Sequence, residues 1–183
     1  LTLRHRDGDD LAAMLDHLMN GWRKVQMWRA WRGGKTSEGW RARLGVRGII
    51  RATEVTHGAH GWHPHSHLLI CTDAPVSDDA REAFAAWLAE AWQKAVAAEG
   101  GRLPSQERGV DVRAVEGEGI AGYLAKMQDQ MPTPVANEMA RGDLKSGRGG
   151  SRLPFELLDD QRSGDRERWI AYVQATSGRR AFS

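Results

Sequence analysis

Five of the seven histidines in this chain, His57, His60, His63, His65 and His67, fall within 57-HGAHGWHPHSHLLI-70. His63, His65 and His67 are spaced two apart and run directly into the apolar Leu68-Leu69-Ile70. Side chains alternate across a strand, so His65 and His67 share one face, with Ser66 and Leu68 on the other. Two neutral imidazoles therefore converge without any long-range folding. A hairpin turn centred between His60 and Gly61 sets Glu54 across from His67 on the same face, whereas a slip of one residue moves Glu54 to the opposite side. Two imidazoles and a carboxylate leave positions on a divalent ion open to water or a substrate oxygen. Such a mixed set suits Mn²⁺ or Mg²⁺, with Zn²⁺ a poorer expectation, and an open site points to Lewis-acid chemistry. His5, His17 and His57 read as ordinary packed or surface histidines.

The chain has two tyrosines. Tyr123 sits in 118-EGIAGYLAKMQ-128, where helical spacing puts Lys126 one turn further along the same face. A phenol is a poor nucleophile until its proton is drawn out, and a neighbouring ammonium stabilises the negative charge that develops. Tyr172, in 168-RWIAYVQ-174, lies among Trp169, Ile170 and Val173 and reads as part of a packed helix face.

The elements that must position these groups follow from periodicity. Leu1 to His5 predicts a strand. Leu11, Met14, Leu15, Leu18, Met19 and Trp22 predict an amphipathic helix from residue 9 to about 31, ended by Gly33-Gly34. Val46 to Thr56 and His65 to Thr72 predict a β-hairpin. Ser77 opens a helix carrying Phe84, Trp87, Leu88 and Trp92 on one face as far as Gly100-Gly101. Gly109 to Val115 predicts a fourth strand, and Gly119 to Gln130 a helix that stops before Pro132. A basic loop from Arg141 to Arg152 and helical segments around Phe155 to Leu158 and Arg166 to Gln174 complete the chain. The order βαββαβα predicts an α+β fold of the ferredoxin-like kind, a central antiparallel sheet with helices on one face and a helical C-terminal extension. Residues 1–130 are expected to form the core, with 131–183 packed on the same domain.

Length and a hydrophobic fraction of 40% fit one domain with a real core. No run approaches the roughly 18 apolar residues of a membrane span, and no charged-then-apolar leader opens the chain. The lone cysteine, Cys71, ends an apolar run; it is expected in the core of a protein of the reducing cytoplasm. Leu1-Thr2-Leu3 reads as the middle of a strand, so further sequence is expected upstream. Net charge is only +2, but between Arg23 and Arg47 eight basic residues (Arg23, Lys24, Arg29, Arg32, Lys35, Arg41, Arg43 and Arg47) face one acid, Glu38. Trp22, Trp28, Trp31 and Trp40 are interleaved with them. Cations tracking phosphates and rings stacking on bases predict a single-stranded nucleic-acid surface; a solvated helix burying its tryptophans is the competing reading.

Among known histidine patterns, the cupin site needs a carboxylate shortly after His-x-His, where this chain has Leu-Leu-Ile-Cys-Thr. The histidine-triad hydrolases share the spacing of 63-HPHSHLL-69 but carry apolar residues where Pro64 and Ser66 stand, and their motif lies near the domain end. By contrast, Thr53-Glu54-Val55-Thr56-His57-Gly58, then Trp62-His63-Pro64-His65-Ser66-His67-Leu68-Leu69, then Tyr123-Leu124-Ala125-Lys126 resemble the ordered motifs of HUH endonucleases. The resemblance is to rolling-circle plasmid replication initiators of the actinobacterial type. Leu1-Thr2-Leu3, Arg141-Gly142-Asp143-Leu144-Lys145 and Gly178-Arg179-Arg180-Ala181 are similar to that family as well.

The resemblance implies that His65 and His67, with Glu54, hold a divalent metal over a scissile phosphate of single-stranded or hairpin origin DNA. It implies that Tyr123 attacks to form a 5′-phosphotyrosine and frees a priming 3′-hydroxyl, with Lys126 steadying charge and Glu118 standing near the place of a water-activating glutamate. That glutamate normally lies one helical turn before the tyrosine, where this chain has Gly119, and Ser66 occupies a position usually bulky and apolar. DNA contacts are expected from Arg23, Lys24, Arg29, Arg32, Lys145, Arg148 and Arg152. A host helicase and polymerase are the implied partners and the bacterial cytoplasm the implied compartment. A mobilisation relaxase or rolling-circle transposase shares the chemistry; a histidine-triad hydrolase and a non-catalytic DNA-binding module are the readings from other classes.

Overall fold

Leu11, Met14, Leu15, Leu18, Trp22 and Val25 recur at three- and four-residue steps. In the computed structural model, which describes residues 1–115, 151–159 and 162–179, they are the buried stripe of helix α1, Leu11–Met27. The Asp10 carboxylate caps it, accepting from the Ala13 N–H at 2.8 Å. The helical pattern continues past Met27, but the backbone turns extended at Trp28 (φ −69°, ψ 145°), and a separate turn of helix, α2 (Arg29–Arg32), follows. That break rotates Trp31 into the core. A second short helix, α3, spans Trp40–Arg43.

The β-branched run after α3 pairs as an antiparallel hairpin of β1, Val46–Gly58, and β2, Gly61–Thr72. Gly58 lies opposite Gly61, so the turn centres between Ala59 and His60, one residue earlier than the sequence placed it. Gly61 closes the turn at φ +83°, and a Cβ there would press on the Arg6–Asp7 backbone, which is why glycine is required. Shifting the turn centre by one residue shifts the pairing by two. Glu54 therefore faces His65 directly, and His67 lies diagonal to it instead of opposite. Because the shift is even, Glu54 stays on the histidine face.

Ser77 caps the long helix α4, Asp78–Ala98, through its hydroxyl, with Asp78 and Asp79 at the positive end of the helix. Phe84, Leu88, Trp92, Ala95 and Val96 line the face that packs on α1. Gly21 permits the close crossing: a Cβ there would come within 2.9 Å of the Trp92 ring. One face of the hairpin, through Val55 and Trp62 with Leu68, Ile70 and Ile49 at its flank, adds to this core. The described residues thus form an α+β structure, a two-stranded antiparallel sheet with several helices. A 3₁₀ turn, Pro154–Leu157, and a helix α5, Asp165–Thr176, close the described chain. No described helix is long and apolar enough to cross a membrane.

Three further expectations change. The strand from Leu1 to His5 reduces to a single antiparallel bridge between Thr2 and His65, with Leu1 and Ser66 exchanging N–H···O=C bonds of 2.7 and 2.8 Å. Residues Gly109 to Val115 form no ladder; the Gly109 carbonyl accepts from the Thr2 N–H at 3.0 Å and regular pairing goes no further. Cys71 is exposed, because it lies near the far end of β2, beyond the packed middle of the hairpin. The helix expected from Gly119 to Gln130 lies outside the described residues.

Candidate metal centre

Strand alternation puts Trp62, Pro64 and Ser66 toward the core and His63, His65 and His67 on the opposite face of β2. Thr53 and Val55 follow the core side of β1, and Glu54 the histidine side. Ser66 is thereby explained. It is buried on the core side against Thr53, with hydroxyl oxygens 3.3 Å apart, and its backbone bonds Leu1. A bulky side chain has no room at that contact.

On the histidine face, Glu54 Oε2 lies 2.9 Å from His65 Nε2 and 3.3 Å from His67 Nε2. The three groups offer one ligand atom each, all within 4.8 Å of one another, and form the one such cluster among the described residues. Hydrogen bonds from His65 and then His67 hold the Glu54 carboxyl well below the usual carboxylate range, outweighing the opposing effect of burial. These partners favour the ionised form of Glu54. His65 Nδ1 is buried and has no hydrogen-bond partner. All three side chains keep partial solvent access, between 21% and 38%. The arrangement can bind a cation: an anionic oxygen and two imidazole nitrogens point at one small volume that is open on one side.

The imidazoles continue beyond this trio. His63 stacks on His65 with ring centres 5.1 Å apart, and on His5 at 4.6 Å, while its Nε2 lies 2.8 Å from the Thr2 hydroxyl. Burial, reinforced by His65 and His5 nearby, pulls the His63 imidazole down to about 4. Sequence reading gave His5 no part in this cluster, since only the fold carries the N-terminal segment beside β2. His57 packs edge-on against Trp62, and burial lowers its basicity too.

The remaining predicted residues separate. Glu118, Tyr123, Lys126, Lys145 and Arg148 lie outside the described residues. Tyr172 stacks on Trp62 and lies tilted against Trp169, with ring centres 6.5 and 5.7 Å apart, and so belongs to the core side of the hairpin, away from the histidine face. Arg152, expected to meet DNA, instead adds to the free edge of β1 by exchanging two backbone hydrogen bonds with His57. Its guanidinium is turned inward onto the fully buried Asp165, with both carboxylate oxygens at 2.7 Å. Trp22, Trp31 and Trp40 are buried, and Trp28 is packed against the same core, so these rings do not form the stacking platform that their interleaving with basic residues predicted. Arg23, Arg29 and Arg32 are exposed, while Lys24 pairs with Glu99 at 2.8 Å.

No family profile and no solved structure matches the chain. A neomycin resistance protein of Streptomyces cyanogenus is 35% identical over 88 residues, which covers 38% of this chain and 20% of that protein. Protein rep of Streptomyces lividans is 31% identical over 239 residues, a stretch longer than this chain, so the relative carries additional residues within it. The chain is thus similar along 99% of its length to Protein rep, and spans about half, 52%, of that relative.

Proposed function

We propose that the chain is the DNA-nicking part of a plasmid replication initiator, a metal-dependent, site-specific single-stranded DNA nickase and strand-transferase. The observation that carries this reading is the convergence of Glu54, His65 and His67 on one sheet face, in a chain similar throughout to Protein rep. The donor set fits a divalent ion such as Mn²⁺ or Mg²⁺: one ionised carboxylate and two imidazoles, with His65 Nδ1 free to carry the ring proton once Nε2 becomes a ligand. Bound there, the ion would supply Lewis-acid polarisation of the scissile phosphate.

The chain's own residues supply the rest. The hairpin fixes both imidazoles and the carboxylate on one rigid ladder, which limits their freedom before substrate arrives. Tyr123 is assigned the nucleophile. Its phenol oxygen bonds to phosphorus while the bond to the 3′ oxygen breaks, and the phenolic proton ends on the departing 3′-hydroxyl. The 5′-phosphate stays on the protein as a phosphotyrosine and the 3′ end is left to prime synthesis by host enzymes. Lys126 balances the charge that develops on the phenol. Glu118 is assigned a part in termination. Arg23, Arg29 and Arg32, with Lys145 and Arg148, contact the DNA backbone. The same reading assigns this activity to the bacterial cytoplasm.

The test is incubation with an end-labelled single-stranded origin oligonucleotide and Mn²⁺, followed by denaturing electrophoresis. A slowly migrating, protease-sensitive band is expected, absent in Tyr123→Phe and in the double variant His65→Ala/His67→Ala, with DNA affinity of the double variant largely kept. Free mononucleotide release that survives Tyr123→Phe would instead identify a hydrolase in which His65 is the nucleophile.

A further inference from the structure

A histidine that ligates a metal through one ring nitrogen almost always gives the N–H of the other to a carboxylate, a carbonyl or water, and that bond sets the orientation of the ring. His65 departs from this rule. Its Nε2 lies 2.9 Å from Glu54 Oε2, but its Nδ1 is buried with no hydrogen-bond partner. Rotation about the Cβ–Cγ bond of a histidine has broad, shallow preferences. Something other than a hydrogen bond at Nδ1 must therefore fix the plane of this ring.

Other rings lie against it. His67 meets it edge-on with centres 4.9 Å apart, and His63 lies over its face with centres 5.1 Å apart and planes 28° apart. His67 belongs to the ligand set and is the more exposed of the two ligand imidazoles, so it is a poor fixed reference. His63 is a good one. His5 stacks on it with centres 4.6 Å apart, and the Thr2 hydroxyl lies 2.8 Å from its Nε2. Thr2 is held in turn by its backbone: the N–H donates to the Gly109 carbonyl at 3.0 Å, the carbonyl accepts from Nε1 of the fully buried Trp92 at 2.8 Å, and the residue bridges to His65. A line of fixed contacts thus runs from α4 in the core through Thr2 and His63 to the face of the His65 ring.

We infer that His63 is a positioning residue for the metal centre: stacked on His5 and pinned at its edge by Thr2, it holds the plane of the His65 imidazole by ring contact, in place of the hydrogen bond that His65 lacks. The inference rests on the reading of Glu54, His65 and His67 as a cation site, and needs neither DNA nor cleavage. It makes the shape of residue 63 decisive. A flat ring there keeps His65 oriented for the ion, and an aliphatic side chain that fills the same space does not.

The test compares His63→Phe with His63→Leu in the 183-residue chain. Both variants lose the Thr2 bond and both fill the site, but only phenylalanine offers a flat face. Mn²⁺ is titrated by calorimetry, and Co²⁺ by its visible absorption, whose bands report the geometry around the bound ion. His63→Leu is expected to bind Mn²⁺ at least about tenfold more weakly than wild type, the size of loss seen when the group that orients a metal ligand is removed. His63→Phe is expected to stay within about threefold of wild type and to keep its Co²⁺ bands. Equal losses in the two variants, which a merely structural role for His63 predicts, or wild-type affinity in His63→Leu, would overturn the inference. If His63→Leu melts below the wild type without metal, Thr2→Val, which leaves every ring in place, carries the test: a loss of about threefold is expected, and unchanged affinity would overturn the positioning role. Wild-type chain that binds neither ion would overturn the metal centre itself, and with it the nicking chemistry, whereas binding that ignores residue 63 overturns the positioning role alone.

Discussion

At the scale of single residues, the histidine face is a gradient of environments along one strand. His67 is the most open, His65 has one nitrogen against Glu54 and the other buried without a partner, and His63 is held neutral by burial. The His63 imidazole has a consequence for stability. Its folded value, about 4, is lower than the ordinary 6.5, so the unfolded chain takes up a proton first as pH falls. The contribution of His63 is complete above about 6.5 and is lost as pH drops toward 4. Thermal melts of metal-free protein across that window should therefore show a falling midpoint, and His63→Gln, which keeps a polar partner for Thr2, should flatten the fall. An identical slope in wild type and variant would remove His63 from the account.

At the scale of elements, the hairpin is held from three directions. The core face packs on the α1 and α4 layer, Thr2 bridges to β2 with its carbonyl accepting from Trp92 Nε1 at 2.8 Å, and Arg152 extends the ladder at the edge of β1. The last of these ties depends on a buried charge cluster. Asp165 is fully buried at the start of α5, accepts from Arg152 and from Arg168 at 3.1 Å, and also accepts from the Arg162 N–H at 2.9 Å. These partners hold its carboxyl below the usual range. Replacing it with Asn removes the charge and leaves two guanidiniums without their anion, a change more costly than removing the whole cluster. Asp165→Asn should lower the melting temperature by several degrees and speed hydrogen exchange at the His57 amide, which bonds the Arg152 carbonyl. Unchanged exchange at His57 would mean that the β1 edge does not depend on α5.

At the scale of the whole molecule, a cation bound at the hairpin couples to folding, because the unfolded chain has no assembled Glu54, His65 and His67 set. Manganese at a hundredfold excess over its Kd should stabilise the native state by about 2.7 kcal/mol, seen as a rise in Tm that a chelator reverses. The rise should vanish in His65→Ala/His67→Ala; the same rise in the double variant would place the bound ion elsewhere. This measurement needs no DNA and no cleavage, so it tests the metal centre apart from the chemistry proposed for it.

Much of this arrangement was legible in the linear sequence because it depends only on local rules. Alternation along a strand fixed that His65 and His67 share a face, an even register shift preserved the side of Glu54, and helical spacing with an Asp or Ser cap located α1 and α4. What needed the tertiary structure were choices between partners that local rules leave equal. Basic and aromatic residues alternating along a segment are the same pattern whether the rings stack on bases or fill a core, and only the packing against α4 decided that Trp22, Trp31 and Trp40 go inside. A guanidinium in a basic loop reads as a phosphate contact until a buried carboxylate from the next helix claims it, as Asp165 does Arg152. The exact turn, and with it which histidine meets Glu54 directly, was set by the Arg6–Asp7 backbone lying against Gly61. Sequence determines which side of an element a residue occupies; which group waits on that side is decided by contacts between segments remote in the chain, and those exist only once the chain has folded.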